Sequence, residues 1–197
     1  MYRLTDIIDP LNVLGMQRTQ PIPAPYNNTW AVMKGLSGSV TFQPTLTGMS
    51  YILHWIYGGV EQVVTHSTNA QQHVQTDPDE IAWIYSYDDP FDIKLGANIR
   101  FFAPSNAVQS IDMRDDPDLE TIDLRNASII IGLDNNAINV RTIFANTSDI
   151  DRYTISTFFL LPSTVADGTI YIKRNEPYTD NMITDAQNKG WNIVLYD

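Results

Sequence analysis

The chain has 197 residues, a length for one domain or two small ones, and enough to bury a core without covalent staples. Only 18% of residues are charged, with Asn, Gln, Ser and Thr in their place, which argues against a coiled coil or a long helical bundle. A formal net charge of −11 gives no electrostatic reason to bind nucleic acid or anionic lipid, and the lack of cysteine excludes disulfides, thiolate metal sites and thiol nucleophiles.

Residues 1–30 read as an extended arm. The start, Met1 to Pro10, has neither the basic n-region nor the apolar run of a signal peptide, and no stretch reaches the length of a membrane span. The expectation is a protein that begins in the cytoplasm. Thr5 or Asp6 can cap a short helix that Pro10 would stop. Pro21, Pro23 and Pro25 alternate, which favours polyproline II. The arm also carries Ile7, Ile8, Leu11, Val13, Leu14 and Met16. A solvated linker rarely needs these, so two readings stay open. They pack on the body of the same chain, or they dock on a partner subunit.

Residues 31–104 read as strands. Val40–Phe42 and Tyr51–Tyr57 are β-branched or aromatic runs. Gly58-Gly59 is a turn signal, and Val60–Thr65 resumes as a strand, which makes a hairpin. Ile81–Tyr87 ends at Asp88-Asp89-Pro90; Phe91–Leu95 alternates; Ile99–Phe102 closes the set before Pro104. Short strands with frequent turns point to a sandwich.

Residues 105–197 change character. Val108, Ile111 and Met113 recur 11 residues later as Leu119, Ile122 and Leu124, in the L-x-x-L-x-L frame of a leucine-rich repeat. Ile170-x-Ile172-x-x-Asn175 repeats half of that frame. Each unit is expected to form a short strand stacked on the next. Ile150 to Leu161 suits a short helix ended by Pro162. Asp180 to Lys189 suits a helix with Gly190 as left-handed cap, then Trp191 packing back and Ile193–Leu195 as a last strand.

The pieces Leu119–Asn126, Asp167–Pro177 and Ala186–Ile193 resemble leucine-rich-repeat segments of surface proteins from gut Bacteroidetes and of their crAss-like phages. The last piece is similar to the closing A-x-x-K-G-W-x-V cap of those repeats. In such proteins a PKD-like, immunoglobulin-type sandwich often precedes the repeats and carries a W-G-D-G turn. Here the stretch reads Trp55-Ile56-Tyr57-Gly58-Gly59, so the Trp and a Gly remain and the Asp is gone. The resemblance covers about two-thirds of the chain and brings no catalytic residues. It implies a mainly β fold: a sandwich over 31–104, then a short leucine-rich-repeat-like α/β cap over 105–197, with the arm at the N-terminus.

Chemistry candidates are few. His54 lies in an apolar strand and reads as a packed histidine; His66 and His73 flank a Gln- and Asn-rich loop and would need a converging carboxylate to hold zinc. Acid clusters occur at Asp77, Asp79 and Glu80, at Asp88, Asp89 and Asp92, and at Asp112, Asp115, Asp116 and Asp118. None has EF-hand spacing, and they read as solvated turns, with calcium at the third cluster left open. Trp30, Trp55, Trp83, Trp191 and Tyr51, Tyr57, Tyr85 and Tyr87 read as mainly core, with a sugar- or protein-binding face as the alternative.

The expectation is a non-enzymatic virion structural protein, a head fibre, decoration or tail accessory, assembled in the host cytoplasm and without cofactor or metal. Its attachment residues are Ile7, Ile8, Leu11, Val13, Leu14, Pro21, Pro23 and Pro25. Its partners are other virion proteins, further copies of itself or a host surface glycan, and neither nucleic acid nor membrane. A carbohydrate-binding module or bacterial adhesin is the alternative, and a glycan-active hydrolase a third.

Overall fold

A computed structural model describes residues 29–35, 38–46, 50–67, 69–78, 80–86, 91–105, 108–125, 127, 132–134, 139–145, 159, 167–174 and 179–196. The strands in chain order are β1 (Thr29–Gly35), β2 (Ser39–Leu46), β3 (Tyr51–Tyr57), β4 (Val60–His66), β5 (Gln72–Gln75), β6 (Ile81–Ser86) and β7 (Phe91–Leu95). They continue as β8 (Ile99–Pro104), β9 (Val108–Asp112), β10 (Thr121–Asp123), β11 (Gly132–Asp134), β12 (Thr142–Ala145), β13 (Thr169–Lys173) and β14 (Asn192–Tyr196). One helix, α1 (Asp180–Asn188), lies between β13 and β14 among the described residues. The protein is mainly β.

The strands form two sheets. One has nine strands in the order β14-β13-β12-β10-β8-β1-β6-β3-β4, the other five in the order β11-β9-β7-β2-β5. The pairings change character along the chain. Among β1 to β8 every pair is antiparallel, whereas β9 to β14 add in parallel, alternating between the sheets up to β12. From β7 onward the chain therefore winds as a β-solenoid grown onto the edges of both sheets, which run uninterrupted across residues 104–105. The coils are in register: Ile122 lies beside Phe102 and Ile143, Ile143 beside Ile170, and Ile170 beside Ile193. All but Ile193 are fully buried.

One apolar core lies between the layers. Met33, Leu53, Ile84 and Phe102 of the long sheet meet Val40, Phe42, Ile93 and Ile111 of the short one. Past β11 the short sheet has no further strand among the described residues. Phe159, Ala186 and Trp191 then pack on the same core from the connection before β13 and from the α1 region. Thr179 caps α1 by accepting a 3.4 Å bond from the Met182 amide, and Gly190 at φ 94° closes it in the left-handed region, as expected.

Several expectations shift. The two 11-residue units do not stack on each other. Ile111 in β9 is in register with Leu133 of β11, while Ile122 in β10 is in register with Ile143 of β12. Eleven residues make half a coil, enough for one strand and one turn, so successive units fall on opposite sheets. Strand β1 begins at Thr29, inside the expected arm. Strand β5 occupies part of the supposed loop between His66 and His73; Gln-His-Val-Gln buries only Val74 well, and an edge strand with one apolar residue leaves almost no pattern to read. Strand β8 runs through Pro104. Of the expected helix over 150–161 only Phe159 is described; it is helical and buried. The cap at Thr5 or Asp6, the polyproline stretch, Asn175 and Tyr87 lie outside the described residues.

Candidate interaction surface

The coil ends are closed by a repeated clasp. Arg114 donates from its backbone N–H (3.1 Å) and Nε (2.9 Å) to Asp112 Oδ1, and from Nη2 to Oδ2 (2.7 Å). Arg125 makes the same three bonds to Asp123, at 3.1, 2.9 and 2.9 Å. The 11-residue repeat is therefore Ile-Asp-x-Arg as well as apolar, a signal present in the sequence that an apolar-only reading misses. Surroundings separate the two clasps. Asp112 is part-exposed, and Arg114 holds its carboxyl below the usual range. Asp123 is fully buried; burial pushes its carboxyl up, opposed by Arg125.

Arg125 also starts a stack. Its guanidinium lies 5.0 Å from the Phe144 ring centre. Phe144 stacks on Tyr171 at 5.0 Å and 15°, and Tyr171 meets Tyr196 at 6.0 Å and 47°. The stack follows the parallel coils on the outer face of the long sheet, because β10, β12 and β13 place Asp123, Phe144 and Tyr171 in one row.

The third acid cluster disperses onto separate partners. Asp115 pairs with Lys94 at 2.5 Å. Asp118 Oδ2 accepts from the Asn98 amide, and Asp116 Oδ1 from the Asp118 amide, both at 3.1 Å. Among the described residues no three His, Asp or Glu side chains gather as a cation site. Asp116 is 1% exposed with Oδ2 unpartnered, and burial pushes its carboxyl up to about 7. Asp79, Asp88 and Asp89 lie outside the described residues; Asp92 is exposed.

The Gly58-Gly59 turn recovers a carboxylate from elsewhere. Asp77 accepts from the Gly58 amide through Oδ1 (2.7 Å) and from the Gly59 amide through Oδ2 (2.6 Å), while its own N–H donates to Ile56 O (2.9 Å). Both glycines sit at positive φ, 63° and 69°. Nothing local in the sequence announces a partner so far along the chain.

The histidines do not converge. His54 is buried and its Nε2–H donates to Glu61 Oε1 at 2.7 Å; burial lowers its pKa, against the pull of Glu61. His66 stacks on Tyr51 at 5.3 Å, and His73 Nδ1 shares a 3.1 Å hydrogen bond with Thr41. His66 and His73 belong to different sheets, so they form no zinc pair.

Most of the described aromatics are buried: Tyr51 and Trp191 in the core between the sheets, with Trp55 packed against it, and Tyr85 and Trp83 outside that core, while Tyr57 is half exposed. Burial pushes the Tyr51 hydroxyl up to about 12. A recess of about 150 Å³ lies between Gln43, Gln71, Lys94 and Asp115. That is well below the roughly 300 Å³ at which small-molecule pockets begin.

Among the described residues, the large exposed apolar side chains gather at the two ends of the long sheet. Strand β4 is an edge among the described strands and exposes Val60 (58%), Val63 (56%) and Val64 (41%), beside Tyr57 at its turn. Strand β14 is the other edge and exposes Leu195 and Tyr196. Neither strand carries the lysine or proline that blunts an edge. The sequence held one hint, since Val60-Glu61-Gln62-Val63-Val64 lacks the alternation of a one-sided strand. The expected attachment residues Ile7, Ile8, Leu11, Val13, Leu14, Pro21, Pro23 and Pro25 lie outside the described residues, as does the side chain of Trp30. No family model, curated protein or solved structure matches the chain.

Proposed function

We propose that this chain is a non-enzymatic structural protein of a bacteriophage particle, a head fibre, decoration or tail accessory, in which a PKD-like sandwich runs on into a short leucine-rich-repeat-like solenoid. The observation that carries the structural role is the pair of apolar edges at opposite ends of one continuous sheet. An unpaired strand offers a row of N–H and C=O groups, and exposed valines beside them suit addition of a partner's strand. The ion pairs add support. Arg100–Glu120, Lys94–Asp115 and the two Asp-x-Arg clasps tie coil to coil or close a coil end, so this side-chain chemistry serves the framework.

The phage assignment rests on the resemblance of the repeats and closing cap. A sugar-binding platform needs free ring faces, whereas Phe144 and Tyr171 stack on one another.

The test is protein composition of density-gradient-purified particles, read by quantitative mass spectrometry. The chain is expected in fixed stoichiometry with the major capsid protein. Its absence from purified particles would sink the reading. In the same particles Val63→Lys should reduce occupancy and leave the fold intact; unchanged occupancy would remove β4 as the contact.

A further inference from the structure

Strand β4 pairs with β3 on one side only, and the hydrogen-bonding groups on its free side can be assigned residue by residue. Tyr57 and Val60 flank the two-residue turn Gly58-Gly59, whose glycines both have the positive φ of a tight hairpin. Such a turn makes Tyr57 and Val60 a hydrogen-bonded pair. The ladder then alternates, so Trp55 bonds with Gln62, Leu53 with Val64 and Tyr51 with His66. Glu61, Val63 and Thr65 therefore point their N–H and C=O groups away from β3. The Ile56 carbonyl agrees with this phase: opposite Glu61, it turns away from β4 and accepts from the Asp77 amide at 2.9 Å. Among the described residues no strand lies beyond β4.

We infer that two copies of this chain join through β4, antiparallel about a twofold axis at Val63. In that register Val63 of one copy faces Val63 of the other, Glu61 faces Thr65, Gln62 faces Val64 and Val60 faces His66. All seven residues of the strand are paired, and those with outward backbone groups meet only each other. A twofold axis perpendicular to the sheet keeps every side chain on its own face. Glu61, Val63 and Thr65 stay on the side of His54, and Val60, Gln62, Val64 and His66 on the side of Leu53. The exposed valines then gain cover: Val63 from its own copy, Val64 from Gln62 and, diagonally, from Val64. Charge favours the same partner. Glu61 is the strand's only acidic residue, and the strand has no Lys or Arg. Its carboxylate meets the Thr65 hydroxyl, while the two copies of Glu61 stand about 13 Å apart along the strands. A chain of net charge −11 thus meets itself here without opposing like charges. A slip of two residues in either direction leaves two residues at one end of β4 facing no strand. The other edge, β14, is shorter at five residues, and its Ile193 already packs against the core. The inference rests on reading β4 as the contact edge and commits its partner to a second copy; it does not depend on the particle.

Sedimentation equilibrium of the purified full chain, with no particle present, tests this separately from the particle-composition experiment. The contact is one strand wide and belongs with small interfaces, so the chain is followed from about 10 to about 500 µM. A monomer–dimer equilibrium is expected. Val63→Lys sets two ammonium groups against each other on the axis. It should weaken the dimer by about 10-fold or more, with thermal unfolding of the dilute monomer unchanged. Mixing Val63→Lys with Val63→Glu should restore association. Cysteines then read the register, in a chain that has none of its own. The Cα atoms of a hydrogen-bonded antiparallel pair lie about 5.5 Å apart, within disulfide reach. Mild oxidation should therefore couple Val63→Cys to itself, and Glu61→Cys to Thr65→Cys. Thr65→Cys alone should stay uncoupled, because its two copies are about 13 Å apart. A chain that stays monomeric throughout, a dimer untouched by Val63→Lys, open-ended polymers, or Thr65→Cys coupling as fast as Val63→Cys would overturn the inference.

Discussion

The half-coils Ile111-Asp112-Met113-Arg114 and Ile122-Asp123-Leu124-Arg125 share a sequence pattern and one set of hydrogen bonds, yet they lie on opposite sheets. Their isoleucines are alike, both fully buried in one core. Their carboxylates are not. Asp112 looks out from the short sheet and is part-exposed, whereas Asp123 lies within the long sheet and is fully buried. The same local chemistry therefore has two energetic meanings. Sequence sets the clasp, and the sheet it falls on sets its worth.

The largest effects should fall on what the half-coils have in common. Ile111→Ala and Ile122→Ala should each lower stability by about 2–5 kcal/mol, the range for a buried side chain lost to a cavity. Urea unfolding should give values within about 1 kcal/mol of each other. A small value for one alone would mean that the sheets do not share a single core.

The carboxylates should then split the pair. Asp123→Ala leaves the part-buried Arg125 without its carboxylate, and a loss of about 3 kcal/mol is expected for breaking a pair with one fully buried member. Asp112→Ala should cost less than about 1 kcal/mol, because Arg114 is half exposed and water replaces the carboxylate. Equal losses in thermal or urea unfolding would show that burial does not distinguish the clasps.

Between the half-coils lies Asp116, whose neutral form the fold favours. Its folded pKa of about 7 lies above the ordinary carboxylate value of 3.8, so between the two the native state holds a proton that the unfolded state has released. Stability from this group is full below about pH 4, declines as pH rises and is gone above about pH 7. A gap of this size corresponds to at most about 4 kcal/mol, and relaxation around the ionised group brings the expected effect to about 2 kcal/mol. Asp116→Asn keeps an oxygen for the Asp118 amide and removes the ionisation. The variant should match the parent at pH 4, exceed it at pH 8, and show a flatter Tm against pH. Parallel curves would place the titration elsewhere.

Much of this fold was legible because its strands bury one face at period two or carry β-branched runs. Phe91–Leu95, Tyr51–Tyr57 and Ile170–Ile172 needed nothing beyond their own residues, and Gly58-Gly59 and Gly190 marked turns that positive φ requires. What stayed hidden was relational. The spacing of 11 is visible, but whether a strand stacks on its neighbour or faces it depends on how much chain a turn consumes. Only the pairing of Ile111 with Leu133 reveals that. Strand β5 was hidden by its polarity, and the continuous apolar runs of β1 and β6, buried at successive residues, gave no period by which to tell one face from the other. The apolar edges were half legible in Val63-Val64, since exposure on both faces of β4 follows from its place at the end of the sheet.

Asp77 extends the comparison from local clasps to one made at a distance. In Asp112 and Asp123 the carboxylate and its donors are two residues apart, so the clasp forms with the coil. Asp77 reaches the Gly58 and Gly59 amides only once the segment before β6 has docked against the β3–β4 hairpin. Its removal exposes two amides that are already at the surface, where water satisfies them. The loss from Asp77→Ala should therefore be about 1 kcal/mol, at the modest end for bonds to a charged acceptor. Asp77→Asn, with one carbonyl oxygen in place of two carboxylate oxygens, should fall between. Hydrogen exchange gives the sharper reading. The Gly58 and Gly59 amides should exchange faster in Asp77→Ala, while those of Ile122 and Ile143 keep their protection. If exchange rises along all of β4 as well, the distant clasp holds the edge strand in place and the turn alone does not. If no amide changes, the hairpin is self-sufficient and the carboxylate merely occupies the turn.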